Sequence, residues 1–220
     1  MAEPYNRFSG QSLERVTALS DGVFAVAMTL LVLDVRVPVG AAGRALSDHG
    51  LAEAMLRLGP SFAAYLLSFT MLGTFWLAQH TLLGILDGCD RTLTWISLGF
   101  LFVVSLLPFS AALLAHNVDL RLAVGVYWLN ILLLGLGLEW ASRYGRETFV
   151  SGDAKQTRSR LGTFRRRILI AQALYAAAAL ICLLSTSASL IALIVVQLYF
   201  IVSPRLSRIS KMFRSAGEAQ

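Results

Sequence analysis

The sequence predicts an all-α membrane protein with six transmembrane helices. Of its 220 residues, 56% are hydrophobic and only 15% are charged, and the mean hydropathy is +0.67. These values lie well outside the range of an average soluble domain. The hydrophobic residues form separate runs, and a run of about 20 such residues crosses a bilayer as a helix. The basic residues lie mostly between these runs and in the tail.

Prolines and polar residues set the limits of the six runs. Pro38 follows the first run, and residues 185–187 separate the last two. Pro60 falls in the first turn of the second span, where proline is tolerated, whereas Pro108 lies inside the third, where proline is expected to kink a helix. We expect residues 1–220 to form a single six-helix domain. The predicted spans are about 13–35, 58–77, 93–115, 122–140, 168–184 and 188–202.

The distribution of basic residues predicts the orientation. If the amino terminus lies inside the cell, the inner segments hold fifteen Lys and Arg residues and the outer segments hold four. Short loops rich in Lys and Arg stay on the cytoplasmic side of a membrane. Both termini are therefore predicted to be cytoplasmic, in a multi-pass protein of the plasma membrane.

The first span carries an acidic residue, Asp21, in a region where placing a charge costs much free energy. An ionisable side chain inside a span usually faces protein or water and indicates a functional site. From the residues alone, Ser20 and Asp21 fit either an ion site or a structural cluster in which Asp21 pairs with Arg15 or a neighbouring helix. The polar residues between Val16 and Leu33 are Thr17, Ser20, Asp21 and Thr29.

A second feature of the first span is a narrow stripe of small and apolar residues along one face of the helix. Such a stripe is usually buried or faces lipid, but it can also line a pore. Asp21 lies about a quarter turn away from it. The stripe consists of Gly22, Val26, Thr29 and Leu33, with Leu30 at its margin.

The first span also carries a recognisable pattern. Arg15 is followed by the triplet 19–21, Leu-Ser-Asp, and by an apolar run from Val23 to Leu30 that includes a threonine. This pattern resembles the first-helix signature of the transmembrane protein 175 family, which comprises the lysosomal potassium channel and its prokaryotic homologues. The signature has Phe at the position of Leu19, while the Ser-Asp pair is kept here.

The resemblance covers about the first half of the chain. It continues at Phe75–Trp76 with His80, and then in the segment from Asp90 to Phe109 that includes Trp95. The second half is similar mainly in hydropathy. The lysosomal relative has two six-span units, so one unit in this chain implies a homo-oligomer, here a homotetramer with four first helices around a central pore.

The resemblance also implies the function and the roles of individual residues. It implies a potassium-selective channel that conducts K⁺ passively across a bacterial plasma membrane. Val26 is then the narrowest apolar ring, Thr29 the hydroxyl ring that supports selectivity, and Leu30 and Leu33 further apolar rings. The resemblance assigns a structural role, joining the first helix to the second and third, to a polar motif. The motif consists of Arg15, Ser20, Asp21, Trp76 and His80.

Other classes of function stay open at this stage. A secondary transporter, a proton-coupled or proton-permeable carrier, and a structural subunit would all share this composition. The sequence lacks a nucleophile–base pair, a phosphate loop and metal-ligand spacing, so we expect neither an enzyme nor a metal or other cofactor. His80 alone fits a proton sensor or a metal ligand less well than a hydrogen-bonding group. The expected partners are further copies of the chain, membrane lipids and K⁺, without nucleic acid.

Overall fold

The computed structural model describes residues 13–39, 47–150 and 154–217, and the regular secondary structure within them is all helical. A short 3-10 turn, Ile181–Leu183, precedes the last helix. The α-helices are α1 Leu13–Val32, α2 Asp48–Arg57, α3 Gly59–Leu83, α4 Arg91–His116, α5 Arg121–Thr148, α6 Ala154–Leu180 and α7 Thr186–Gly217.

Five helical segments of the described part are long and apolar enough to cross a membrane. They overlap the first five predicted spans. The apolar part of α7, Thr186–Val202, is shorter, at the lower limit of about 17 residues for a span. The five segments are Leu13–Val32, Gly59–Leu83, Arg91–His116, Arg121–Thr148 and Ser159–Leu183.

The ends of the predicted spans differ from the ends of the helices. The first span was predicted to reach residue 35, but α1 ends at Val32, where the amides of Leu33 and Val35 bond to carbonyls three residues back at 3.1 and 3.0 Å. Such three-residue bonds tighten the last turn of a helix. Helices α5 and α6 both continue past their apolar runs into the basic segment 142–167. This segment is therefore mostly helix and not a loop.

The helices pack in an order that places α1 at the edge of the chain. α4 and α5 share the most extensive contact, and α1 lies against α4 and α3. α6 packs on α5, and α7 packs on α6 and α3. The core is filled by fully buried apolar side chains from α3, α4 and α5, of which Met71, Val104 and Ile131 are examples. Since α1 contacts protein on one side only, its other side is free to meet lipid or another copy.

Candidate pore-lining face and polar motif

The inner face of α1 is set by residues spaced three or four apart. Val16, Ser20, Phe24, Ala27 and Leu31 are all buried, which is the spacing of one helical face. The ring of Phe24 lies 6.1 Å from that of Phe100 on α4, measured between centroids. This packing determines which side of α1 faces the rest of the chain.

The opposite face of α1 carries the residues that the sequence predicts to line a pore. Val26 is 58% exposed, Leu30 46% and Leu33 72%, and Thr29 is exposed as well. Nothing lies within 4 Å of a side chain built at Gly22. Leu33 lies one residue past the end of α1, in the turn. All four predicted residues thus point away from the core of their own chain.

The hydroxyl of Thr29 is oriented by its own helix. Its Oγ1 donates a hydrogen bond to the carbonyl oxygen of Val26, at 2.8 Å. A hydroxyl has one hydrogen to donate and two lone pairs to accept with. Because the hydrogen is used inside the helix, the exposed side of the oxygen is left as an acceptor, which is the role that a cation ligand requires.

The exposed part of the polar motif joins α1 to α3. The indole Nε1 of Trp76 donates to Oδ1 of Asp21 at 2.7 Å. The ring of His80 stacks on that of Trp76, with centroids 5.6 Å apart and planes 28° apart. The structure therefore brings Asp21 next to Trp76, while His80 contacts Trp76 and makes no described hydrogen bond to α1. Arg15 is exposed in the first turn of α1.

A buried pair lies behind this exposed contact. Ser20, 3% exposed, donates its hydroxyl to the carbonyl of Val16 at 2.8 Å and accepts from Nε2 of Gln79 at 3.1 Å. Gln79 is 4% exposed, and its Oε1 has no hydrogen-bond partner among the described residues. Sequence reasoning missed Gln79, although its position three residues after Trp76 places it on a neighbouring part of the same face.

A second polar cluster that the sequence did not indicate joins α5 to α6. The carboxylate of Glu139, almost fully buried, accepts from Nε of Arg143 at 2.8 Å and from Nε of Arg165. A buried carboxylate needs such partners because desolvation penalises its charge. The pair Glu139–Arg165 connects residues 26 apart, so only the spacing Glu139–Arg143 was visible in the sequence.

The loop between α3 and α4 holds the one cysteine outside the spans. Burial raises the pKa of the Cys89 thiol, and the neighbouring carboxylate of Asp90 raises it further, against a hydrogen bond with Thr94 that lowers it. Its thiolate form is therefore disfavoured, which makes it a poor nucleophile. Within the described ranges, no three His, Cys, Asp or Glu side chains come together as metal ligands.

These features define a polytopic α-helical membrane protein whose first helix presents a small, apolar and hydroxyl-bearing face outward. Comparison with known proteins shows which family this chain resembles. Residues 15–108 match the family model described as the endosomal/lysosomal potassium channel TMEM175. The chain is thus similar to the TMEM175 family over these residues, and the resemblance seen in its first helix is confirmed.

Individual proteins show the same similarity. A potassium channel of Streptomyces collinus is 36% identical over 129 residues, 57% of this chain and 60% of that protein. The human endosomal/lysosomal proton channel TMEM175 is 42% identical over 74 residues, 32% of this chain and 15% of that protein. The matched segments thus span less than two thirds of these relatives.

A solved structure covers more of the chain. It is the crystal structure of a homologue, from Chamaesiphon minutus, of the lysosomal potassium-selective channel TMEM175. It is similar at a TM-score of 0.72 and 26% sequence identity, over 87% of this chain and 97% of that chain. The fold therefore extends well beyond the residues that the family model matches.

Proposed function

We propose that the chain forms a potassium-selective channel that conducts K⁺ passively, and that residues 1–220 are one six-span unit of it. The observation that carries this proposal is the outward orientation of Val26, Thr29, Leu30 and Leu33. The names of the Streptomyces and Chamaesiphon relatives support the choice of ion. K⁺ is the permeant ion, and no cofactor is required.

The outward face of α1 requires several copies to make a pore. One helix at the edge of a chain cannot enclose a channel, but four copies placed around an axis can. We therefore propose a homotetramer in which α1 of each copy lines the axis. The lipid-exposed surface is then formed by other helices, which carry exposed large apolar side chains such as Trp95, Phe102 and Ile191.

The rings along the axis have different chemistry. Four Val26 side chains form the narrowest apolar constriction, which can close by dewetting. Four Thr29 hydroxyls offer oxygen ligands to a cation that has lost part of its water, and K⁺ is dehydrated more easily than Na⁺. Leu30 and Leu33 form further apolar rings, and Leu33 lies at the mouth of the pore because it follows the end of α1.

The polar motif has a structural role in this proposal. Asp21 contacts Trp76, His80 stacks on that indole, and Ser20 accepts from Gln79. Together they determine the rotation of α1 relative to α3. A wrong rotation would turn the hydroxyl ring away from the axis, so the motif acts on selectivity through position. Arg15 belongs to the same motif at the start of the helix.

The location follows from the distribution of charge. We propose a bacterial plasma membrane with both termini in the cytoplasm. The basic ends of α5 and α6 would then lie in the inner headgroup region, where anionic lipids attract them. The partners are the other three copies and the lipids of the bilayer.

Proton conduction is a second candidate, favoured by the name of the human relative. The two activities are separated by the full-length chain reconstituted in liposomes, with a K⁺ gradient and separate dyes for membrane potential and internal pH. A potassium channel sets the potential near the K⁺ equilibrium value at neutral pH. A proton pathway acidifies or alkalinises the lumen without K⁺. Flux that saturates at low K⁺ concentration would indicate a transporter and contradict the proposal.

A further inference from the structure

A cleft of about 210 Å³ lies between α3 and α6, away from the face of α1. The two helices hardly approach each other at the backbone, while both pack against α5 and α7. The walls of the cleft are mainly apolar, with Leu77, Ile168 and Phe200 among the lining residues. Leu77 is 58% exposed, so the cleft is open to the outer surface of the chain.

The two ends of the cleft differ in charge. Arg167 lines one end and is exposed. No acidic side chain of the described residues pairs with it, whereas the nearby Arg165 is held by Glu139. Tyr175 lines the other end, eight residues and about 12 Å further along α6. The cleft therefore has a cationic end and an apolar interior.

Three polar side chains at the Tyr175 end of the cleft are hydrogen-bonded to one another. The hydroxyl of Tyr175 donates to Oε1 of Gln197 at 2.6 Å, and Nε2 of Gln197 donates to Oγ1 of Thr74 at 2.9 Å. These groups are neutral and bond to each other. Because Arg167 is the charged residue that lines the cleft, the anionic group of a ligand belongs at Arg167 and its apolar part belongs between the helices.

We propose that this cleft binds an anionic phospholipid, with the phosphate at Arg167 and an acyl chain extending between α3 and α6 toward Tyr175. Arginine forms paired hydrogen bonds with phosphate oxygens. Basic pockets between transmembrane helices on the cytoplasmic side are suited to anionic headgroups. The apolar walls favour a lipid over a soluble anion, because only a lipid can cover them. The assignment to the inner leaflet rests on the proposed orientation.

Native mass spectrometry of the full-length chain in detergent tests the proposal. The protein is mixed with phosphatidylglycerol and phosphatidylcholine of identical acyl chains, and the bound lipids are counted. We expect the wild type to retain phosphatidylglycerol preferentially. Arg167→Gln should lower this preference by about ten-fold, the loss expected when a hydrogen bond between charged groups is removed. Arg167→Lys should keep most of it.

The matched control is Arg166→Gln, which removes the same charge from the adjacent exposed residue, outside the cleft. It should leave the preference unchanged. An equal loss with both variants would mean that the net charge of the segment attracts the lipid, and the proposal would be wrong.

A variant that fills the cleft tests the site of the acyl chain. Ala171→Phe, or Ala78→Leu from the α3 side if the first does not fold, should reduce retention of both lipids. Unchanged lipid retention with either folded variant would overturn the proposal. If retention is unchanged while the oligomer dissociates, the cleft is a contact between copies. The readout does not involve ion flux, so it is independent of the proposed channel activity.

Discussion

The buried pair Ser20–Gln79 allows a prediction about stability that depends on the direction of one hydrogen bond. Gln79 donates to the hydroxyl oxygen of Ser20, and that hydroxyl donates in turn to the Val16 carbonyl. Gln79 has no other hydrogen-bond partner among the described residues, and its Oε1 has none at all there. Gln79 therefore depends on Ser20 for its hydrogen bond, whereas Ser20 keeps a hydrogen bond without Gln79.

The inequality gives different costs for the two single variants. Ser20→Ala removes the only partner that the buried Gln79 amide has among the described residues and leaves a polar group unsatisfied, which costs roughly 1–3 kcal/mol. Gln79→Met leaves the Ser20 hydroxyl bonded to Val16 and removes the unsatisfied Oε1. We expect it to cost less than about 1 kcal/mol, or to stabilise slightly, since replacing a polar pair by an apolar group of similar shape is nearly neutral.

The double variant completes the cycle. Ser20→Ala in the Gln79→Met background strands nothing, so its cost should nearly vanish. The coupling free energy then equals the cost of Ser20→Ala alone, roughly 1–3 kcal/mol, which is above the average of roughly 0.6 kcal/mol for polar pairs in membrane proteins. Titration with a denaturing detergent, followed by loss of helical circular dichroism, measures each free energy of unfolding.

Ser110→Ala is the matched control. Ser110 is a buried serine on α4 whose hydroxyl donates to the carbonyl of Leu107 at 3.0 Å, within its own helix. Its removal strands no side chain and should cost clearly less than Ser20→Ala. The reasoning would be refuted if Gln79→Met proved as costly as Ser20→Ala, or if the two costs simply added in the double variant.

Three further predictions concern the exposed side of α1. Thr29→Val should lower the K⁺/Na⁺ permeability ratio, measured from bi-ionic reversal potentials, without abolishing flux. The control is Thr70→Val, at a half-buried threonine on α3, and an unchanged ratio for Thr29→Val would place selectivity elsewhere. Val26→Asn should raise single-channel conductance by wetting the constriction. Val32→Asn, on another face of α1, should not raise it. Equal conductance of the two variants would contradict the ring at Val26. Asp21→Ala removes the acceptor of Trp76 and should weaken the proposed tetramer by about 1 kcal/mol, as measured by cross-linking yield. A stable oligomer with altered ion preference would instead make Asp21 an ion ligand.

The helices and the outward face of α1 could be predicted from the sequence because both depend on local periodicity. The stripe containing Val26 and Thr29 is a property of one helix, and it needs no knowledge of neighbours. The lengths of α5 and α6 could not be predicted in the same way, since both helices continue past the apolar run into the basic segment. Hydropathy locates the part of a helix inside the bilayer, not the part that extends beyond it.

The contacts between helices were harder to predict from the sequence. Trp76 and Asp21 were associated only through a family resemblance, because 55 residues separate them and no local rule joins them. The partners of Ser20 and Glu139 went unnoticed for the same reason. Gln79 and Arg165 are ordinary polar residues near span ends, and their meaning depends on which helices pack together.

The orientation of α1 depends both on its own periodicity and on its contacts with other helices. Its periodicity decides which residues share a face, but only the contacts to α3 and α4 decide where that face points. On one side, Phe24 packs against Phe100, and Ser20 is engaged by Gln79. Rotating α1 by one residue, about 100°, would bring Asp21 into the position of Ser20 and bury a carboxylate opposite an amide that already has an unsatisfied oxygen. The penalty for that rotation explains physically why the stripe faces away from the core, which is the orientation a pore between copies requires.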